Sequence, residues 1–389
     1  MSMQRKDGTM SMRIICAIFF LVFTSLYLYK YQSDILAVTQ HVLSNGATHY
    51  NKVIGTILIT LSLWLVQIAV HAASKLNHRA HALTYIPSLL LLAVLTDVSP
   101  HLAIGNYLGV WLWLFPLLMV LYVGVVWFFK QLESMEPVSL SFGLFSRLTW
   151  VNLLQMSIMA LVVCGIGCSD TVFHCRMRME SDLLKGDYVA AARVGKHVEE
   201  TDSSLTMLRI LALTKTNSLC ERLFEYPLTG GSDAMFPNGT SVKVMMLPED
   251  SIYANFGVVF KEKLRPLTYL QFVNKSKYTN KASKDWLLCA YLLDCNLDQF
   301  VKTLPSYYQV TQPLPKAFRE ALVLYNHLRK KPKIIYREST MDADYEDFKK
   351  AYYLSSDPTA RISNVKDNFG TTYWFYYLTH AATHPVRSV

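Results

Sequence analysis

The stretch LAIGNYLGVWLWLFPLLMVLYVGVVWFF at residues 102–129 indicates the class of this protein. It contains no Asp, Glu, Lys, Arg or His over 28 residues. A helix needs about 20 apolar residues to cross the hydrocarbon core of a bilayer, and a helix in a soluble core is rarely apolar on every side. The stretch therefore predicts a transmembrane helix. Because it is longer than a bilayer requires, it should tilt, kink at Pro116 or protrude.

The composition of the whole chain agrees with a protein that lies partly in lipid. Of its 389 residues, 52% are hydrophobic and only 17% are charged, whereas globular domains average about a quarter charged residues. The net charge of +9 is spread along the chain. Membrane proteins concentrate Lys and Arg on their cytoplasmic side, so this excess does not indicate binding to nucleic acid.

Four other apolar runs accompany the first. The run at 14–29 follows a basic start at 1–13 and could be a signal peptide, but no small-residue cleavage site follows it. Tyr27, Tyr29 and Tyr31 are instead typical of an interfacial aromatic belt, which favours an uncleaved span. We therefore predict an all-α fold with a polytopic bundle of five membrane spans in residues 14–168, at 14–29, 53–73, 82–98, 102–129 and 148–168.

The distribution of Lys and Arg predicts the orientation of these spans. Seven of them flank the span ends on the side of the N-terminus and two flank the opposite ends. The positive-inside rule then places the N-terminus in the cytoplasm. Five spans place residues 169–389 on the other side, which is the periplasm for a protein of the bacterial inner membrane.

Residues 169–389 have the composition of a soluble helical domain. Helical runs occur in pairs that are separated by short polar breaks around Gly186, Asn217 and Cys295. The Gly-Asp-Tyr break at 186–188 resembles the turn of a tetratricopeptide (TPR) repeat, but the spacing is irregular, so we predict a degenerate TPR-like array. Residues 227–248 are rich in Gly, Pro, Ser and Asn and predict a long loop. The aromatic cluster at 373–377 predicts a capping helix or a segment that docks onto lipid headgroups.

Three strings of sequence resemble an uncharacterised bacterial integral-membrane family that has a multi-span N-terminal half and a TPR-like C-terminal domain. They are YKYQSDILAVTQHVLSNGATHY at 29–50, LCERLFEYPLTGGSDAMFP at 219–237 and GTTYWFYYL at 370–378. The resemblance implies a membrane anchor joined to an external helical domain. It implies no activity, because the family has none assigned.

Asp34 and His41 are the candidate catalytic residues. They lie two turns apart on the polar side of a predicted amphipathic helix at 31–44, whose apolar stripe includes Ile35 and Val38. Some transferases that use lipid-linked sugars resemble this arrangement, with an acidic residue just after the first span as general base. His49 lies nearby in the same external loop. The alternative is a solvated polar face without chemistry.

Other polar residues lie in or near the spans. Asp97 and His101 flank the turn before the fourth span and predict either a structural turn or a functional ionisable pair. Gln67 and His71 lie one turn apart in the second span, where they could form hydrogen bonds between helices or handle protons.

The cysteines do not form a recognisable metal motif. Cys168, His174 and Cys175 do not match the ligand spacing of structural zinc sites, so we predict no metal and no other cofactor. If the tail lies in an oxidising compartment, disulfides could form among Cys220, Cys289 and Cys295. The sequence does not determine which two of them would pair.

The sequence thus predicts a non-enzymatic inner-membrane protein whose partners are the bilayer and, through the tail, another protein. The alternative is a reduced relative of lipid-linked sugar transferases that acts in cell-envelope polysaccharide metabolism.

Overall fold

The computed structural model describes residues 2–76, 78–98, 109–133, 146–196, 198–256, 264–277 and 279–381. These residues form helices, turns and irregular segments, and no strand occurs among them. Five helices in this part of the chain are long and apolar enough to cross a membrane, at Met10–Tyr31, Lys52–Ser74, His78–Thr96, Trp111–Gln131 and Arg147–Ile166. The described part of the chain is therefore all-helical and has five candidate membrane spans, as predicted. It divides into two compact units, Met1–Met177 and Arg178–Val389.

The described residues of the first unit form six α-helices and the start of a seventh. They are α1 (Ser2–Leu26), α2 (Ser33–Leu43), α3 (Lys52–Ser74), α4 (Ile86–Thr96), α5 (Trp111–Glu133), α6 (Arg147–Ile166) and α7 (Thr171–Lys185). A 3-10 helix at His78–Tyr85 precedes α4, and both belong to the third span. Helix α1 extends beyond the predicted span to Ser2.

Helices α1, α3, α4 and α6 pack together around an apolar core that includes Phe20, Tyr85 and Met156. Several buried polar side chains between these helices bond to other protein groups, which a bilayer without water favours. Asn152 on α6, for example, accepts a hydrogen bond from the Ala82 amide at 2.8 Å and donates one to the His78 carbonyl at 3.1 Å.

Helix α5 corresponds to the 102–129 stretch but begins only at Trp111. Residues 102–108 lie outside the described part of the chain, so the predicted excess length is not observed in the helix. The helix continues through Pro116, which has no N–H to donate to the preceding turn. None of the residues in the most apolar 18-residue stretch of α5 is buried. In the equivalent stretch of the third span, His78–Thr96, 61% of the residues are buried. The sides of α5 are therefore free to contact lipid.

The amphipathic helix predicted at 31–44 is present as α2. Ile35 and Val38 on its apolar side are completely buried, and α2 packs against α3 and α4. Protein therefore covers the apolar face that we expected to lie on the membrane surface.

In the second unit, the residues that the structure describes form the rest of α7 and eleven further α-helices. They are α8 (Tyr188–Arg193), α9 (Ser203–Lys215), α10 (Leu219–Arg222), α11 (Glu249–Tyr253), α12 (Pro266–Lys275), α13 (Lys281–Leu293), α14 (Leu297–Thr303), α15 (Lys316–Leu328), α16 (Ser339–Tyr353), α17 (Pro358–Phe369) and α18 (Tyr373–His380).

Three turns in this unit share one geometry, at the positions where the sequence predicts breaks. Gly186, Asn217 and Cys295 each have positive φ and each precede a short helix by two residues. In each turn, the next amide donates to the carbonyl five residues back, as Ser218 does to Leu213 at 2.9 Å. This is the Schellman motif, in which a left-handed residue ends a helix. Helices α7, α9 and α13 therefore end in the same way.

Helices α9 and α13 are the centre of the second unit. Every residue from Ser204 to Leu213 on α9 is buried, and so is every residue from Trp286 to Leu293 on α13. A helix that is buried on all sides must be surrounded by other elements. The two are also linked directly, since the Trp286 indole N–H donates to the Thr214 hydroxyl at 2.7 Å.

The segment predicted as a loop at 227–248 forms part of this core. Its Phe236 ring lies within 5.5 Å of the rings of Tyr253, Phe256, Tyr269 and Trp286, measured between centroids. The segment contains one short 3-10 helix, Gly231–Met235, so its other backbone groups need partners elsewhere.

Two carboxylates from distant helices supply such partners. Asp294 accepts hydrogen bonds from the Ser232 amide and hydroxyl. Glu180 on α7 is completely buried and accepts from the amides of residues 245–247 at 2.7 to 3.4 Å. These bonds allow an irregular segment to be buried, whereas most loops remain at the surface.

Candidate functional site

The structure does not bring Asp34 and His41 into one compact site. Both lie on the continuous helix α2, and seven residues correspond to a rise of about 10 Å. Both side chains are partly exposed. The His41 ring lies nearer to the His49 ring, at 6.5 Å between centroids.

Asp97 has a structural partner. Its carboxylate accepts a hydrogen bond from the indole N–H of Trp111 at 2.7 Å, which joins the end of α4 to the start of α5. His101 lies outside the described residues. This bond supports the interpretation of Asp97 as part of a structural turn.

His174 contacts the backbone of Cys168 and not its thiol. The Nε2 atom of His174 lies 2.9 Å from the carbonyl oxygen of Cys168. Cys175 is partly buried on α7. Within the ranges that the structure describes, no group of three His, Cys, Asp or Glu side chains could hold a metal ion.

A polar cluster that the sequence analysis did not identify surrounds the end of the first span. The chain forms a π-helix at Tyr27–Tyr31, a rare element that is frequent at functional sites. The buried Gln32 side chain follows it and donates to the Tyr27 hydroxyl at 3.1 Å and to the Cys168 carbonyl at 3.0 Å. The Tyr27 hydroxyl also lies 3.3 Å from Thr96 Oγ1. These bonds connect α1, α4 and the end of α6.

Gln67 forms the hydrogen bond between helices that the sequence suggested. Its side-chain amide donates to Thr84 Oγ1 at 3.0 Å, which joins α3 to the 3-10 helix before α4. His71 does not take part in this bond. Its ring instead lies edge-on to that of His81, at 5.0 Å between centroids.

The three tail cysteines are all buried free thiols. Cys220 on α10 and Cys289 on α13 form a close pair with sulfur atoms 3.9 Å apart. The hydrogen bond with Cys289 and the burial of the group raise the pKa of the Cys220 thiol well above its usual range. The structure thus pairs two of the three candidates, while Cys295 occupies the left-handed position of a turn.

The aromatic cluster at 373–377 belongs mainly to the protein core. Tyr373, Trp374 and Tyr376 are buried. The hydroxyls of Tyr373 and Tyr376 donate to the carbonyls of Leu292 and Leu293 in the last turn of α13, at 3.3 and 2.8 Å. Such carbonyls have no partner within their own helix. These three rings therefore act as a cap and are not free to dock onto headgroups.

Glu320 on α15 fixes the start of α18. Its carboxylate accepts a hydrogen bond from the Tyr373 amide at 2.7 Å, and its backbone carbonyl accepts one from the Trp374 indole at 2.8 Å. The side chain is almost completely buried, and Lys316 Nζ lies 3.7 Å from the other carboxylate oxygen. Burial raises the pKa of Glu320 to about 7.

Two strongly exposed side chains of the second unit lie where α16 meets α17. Tyr353 is 68% exposed and Leu354 is 82% exposed. The Arg361 guanidinium lies over the Tyr352 and Tyr353 rings at 5.5 and 5.8 Å, and Ile362 beside it is also exposed. We call these five residues the tyrosine patch. Tyr and Arg are enriched among the residues that carry most of the energy in protein interfaces.

The comparisons with known proteins concern the second unit. A family of unknown function (DUF6057) matches residues 255–380, which include the tyrosine patch and α18. The match supports the resemblance to an uncharacterised family, and one of the three strings of that resemblance, at 370–378, lies within it. No curated protein and no solved structure matches the chain.

Proposed function

We propose that this chain is a membrane-anchored scaffold. Five spans hold it in the bacterial inner membrane with the N-terminus in the cytoplasm. The second unit lies in the periplasm as a degenerate TPR-like domain and recruits a protein partner. The observation that carries this proposal is the tyrosine patch, in which exposed apolar side chains lie beside two tyrosines and an arginine. Contiguous exposed apolar surface on a soluble unit typically marks an interaction site.

The three equivalent turns around Gly186, Asn217 and Cys295 support the TPR-like description. In an open repeat array the partner would occupy a groove along the repeated helices. Here the chain itself covers those helices, since α9 and α13 are buried on all sides. The partner therefore binds at the outer surface around Tyr353 and Leu354.

Photo-crosslinking in intact cells tests this function. A photoreactive residue in place of Leu354 should yield one discrete protein adduct, because its side chain is exposed. The substitutions Tyr353→Ser and Arg361→Ser should together abolish the adduct. The same photoreactive residue in place of the exposed Val189 on α8 is the control and should not yield it. The same adduct from Val189, an adduct that survives the double substitution, or no protein adduct from Leu354 contradicts the proposal.

The orientation is tested separately with an introduced cysteine. The native tail thiols Cys220, Cys289 and Cys295 are buried and will not report on the compartment. Ser356→Cys places a thiol on an exposed residue between α16 and α17. A membrane-impermeant maleimide should label it in spheroplasts above the level of the parent chain. Labelling only after the membrane is broken places the unit in the cytoplasm and refutes the periplasmic location.

A further inference from the structure

A strongly basic loop connects α15 to α16. Residues 329–337 read RKKPKIIYR and contain five Lys or Arg. No Asp or Glu occurs between residues 321 and 337. We call residues 329–337 the basic loop. Five cations in nine residues create a positive local field that favours an anionic partner.

Most of this charge is not neutralised by the protein. Arg329 pairs with Asp298 at 2.6 Å. The other four cations are exposed, and no carboxylate among the described residues pairs with them: Lys330, Lys331, Lys333 and Arg337. The next two helices differ, because Lys349, Lys350 and Lys366 each pair with a carboxylate at 3.0 Å or less. Four exposed cations without an ion pair within residues 330–337 give the basic loop a dense local positive charge.

The basic loop is held at both ends. Arg329 is fixed by its ion pair with Asp298. At the other end, the Asn326 side-chain amide donates to the Tyr336 carbonyl at 2.6 Å, and the Tyr336 hydroxyl donates to Glu338 at 2.7 Å. The lysines between these anchors are therefore presented on a defined surface, which reduces the entropy lost on binding.

Apolar side chains lie among the cations. Ile335 is 69% exposed and Leu328 at the end of α15 is 45% exposed. A purely solvated charged loop would gain nothing from an exposed isoleucine. A bilayer interface accommodates both kinds of side chain, since cations meet anionic headgroups while the neighbouring apolar group enters the acyl boundary. Nucleic acid would use the charge but not Ile335.

The five candidate spans of the same chain tether the basic loop to a bilayer through the polypeptide. A weak surface interaction becomes effective under such tethering because the local concentration of lipid is high. We propose that the basic loop binds the anionic phospholipid headgroups of the membrane that anchors the chain, with Ile335 inserted among the acyl chains.

Lipid photo-crosslinking in nanodiscs tests this proposal. The full-length chain, with a photoreactive residue in place of Ile335, is reconstituted in discs of phosphatidylcholine alone or with about 30% phosphatidylglycerol. Mass spectrometry should detect a lipid adduct mainly in the anionic discs. Salt of roughly 0.5 M should suppress it, because the Debye length becomes short.

Charge-neutral variants identify the residues responsible. Each lysine near an anionic surface contributes about fivefold in affinity, so a triple substitution should lower the adduct at least about tenfold. The triple variant is Lys330→Gln, Lys331→Gln and Lys333→Gln. The matched control removes three exposed lysines elsewhere in the unit, Lys275→Gln, Lys281→Gln and Lys302→Gln, and should retain the adduct.

Several results would overturn the proposal. An adduct of equal yield in neutral and anionic discs would show that charge is not involved. No lipid adduct in anionic discs, or equal loss in both triple variants, would exclude the basic loop as the binding surface. If the same photoreactive residue yields only a protein or nucleic acid adduct in cells, the loop serves that partner instead. None of these results depends on the tyrosine patch, which lies at the opposite end of α16, about 22 Å along its axis.

Discussion

Glu320 should make the attachment of α18 sensitive to pH. In the folded protein its carboxyl group keeps a proton until about pH 7, because burial outweighs the hydrogen bond from Tyr373 and the nearby charges of Lys316 and Arg319. In the unfolded chain the proton is released near the usual pKa of a glutamate, 4.5. The folded state therefore binds more protons between these two values. Stability from this group is fully present below pH 4.5 and is lost as the pH rises through 7.

The size of the effect follows from the two pKa values. A difference of about 2.5 pKa units corresponds to roughly 3 kcal/mol. We therefore expect the free energy of opening α18 to fall by up to roughly 3 kcal/mol between pH 4.5 and pH 8. Hydrogen exchange with mass spectrometry on the full chain in detergent can measure this in the peptide at 373–380, after correction for the intrinsic pH dependence of exchange.

The substitution Glu320→Gln separates ionisation from hydrogen bonding. A glutamine side chain keeps an oxygen that can accept from the Tyr373 amide, but it does not ionise. The variant should lose the pH slope and be more protected than the parent chain at pH 8. Glu346→Gln is the control, since the Glu346 side chain is 46% exposed and pairs with Lys349 within α16. A slope that persists in Glu320→Gln, or protection that rises with pH in the parent chain, refutes the reasoning.

Three further predictions test the fold and the candidate chemistry. Phe236→Ala should destabilise the second unit by about 3 to 5 kcal/mol, because it removes a ring from a buried aromatic cluster. Hydrogen exchange of α13, measured as a function of denaturant concentration, should show this loss. Asn217→Val should cost about 1 to 2 kcal/mol in the local stability of α10, because a β-branched residue is strained at positive φ, whereas Asn217→Gly should be nearly neutral in the same exchange experiment. Asp34→Asn should leave growth and envelope composition unchanged, and a defect in polysaccharide with normal protein levels would restore the enzymatic hypothesis.

Local sequence signals predicted the turns of the second unit well. Gly186 and Asn217 are residue types that tolerate positive φ, and both occupy that conformation. The apolar runs likewise predicted five helices that are long enough to span a membrane. These features depend on residues that are close in sequence, which is why a sequence pattern reports on them.

Features that depend on distant residues were not predictable in this way. The segment at 227–248 has the composition of a surface loop, and it is buried because Asp294 and Glu180 satisfy its amides from other helices. Helix α17 was missed although Asp357 caps it and Pro358 begins it, because its apolar residues are sparse. Composition alone therefore predicts neither which irregular segments are buried nor where a helix with few apolar residues lies.

The candidate sites illustrate the same limit. Asp97 was a candidate because it is ionisable near a membrane, and it proved to bond to Trp111, which is 14 residues away. The sequence does not predict the exposure of Tyr353 and Leu354, because a tyrosine and a leucine at a helix end are usually buried. Their exposure follows from the packing of α16 and α17, and only the folded chain shows it.

The bond network of Glu180 has a consequence for how the second unit is made. During translation, Glu180 is synthesised 65 residues before Met245, the first residue from whose amide it accepts a hydrogen bond. Because an ionised carboxylate is costly to bury without partners, the N-terminal helix of the unit cannot reach its final packing until residues 245–247 have emerged. The same dependence limits dissection of the protein by truncation. A fragment intended to fold alone must begin before Glu180, because a later start removes the acceptor of the buried Met246 amide and of its two neighbours.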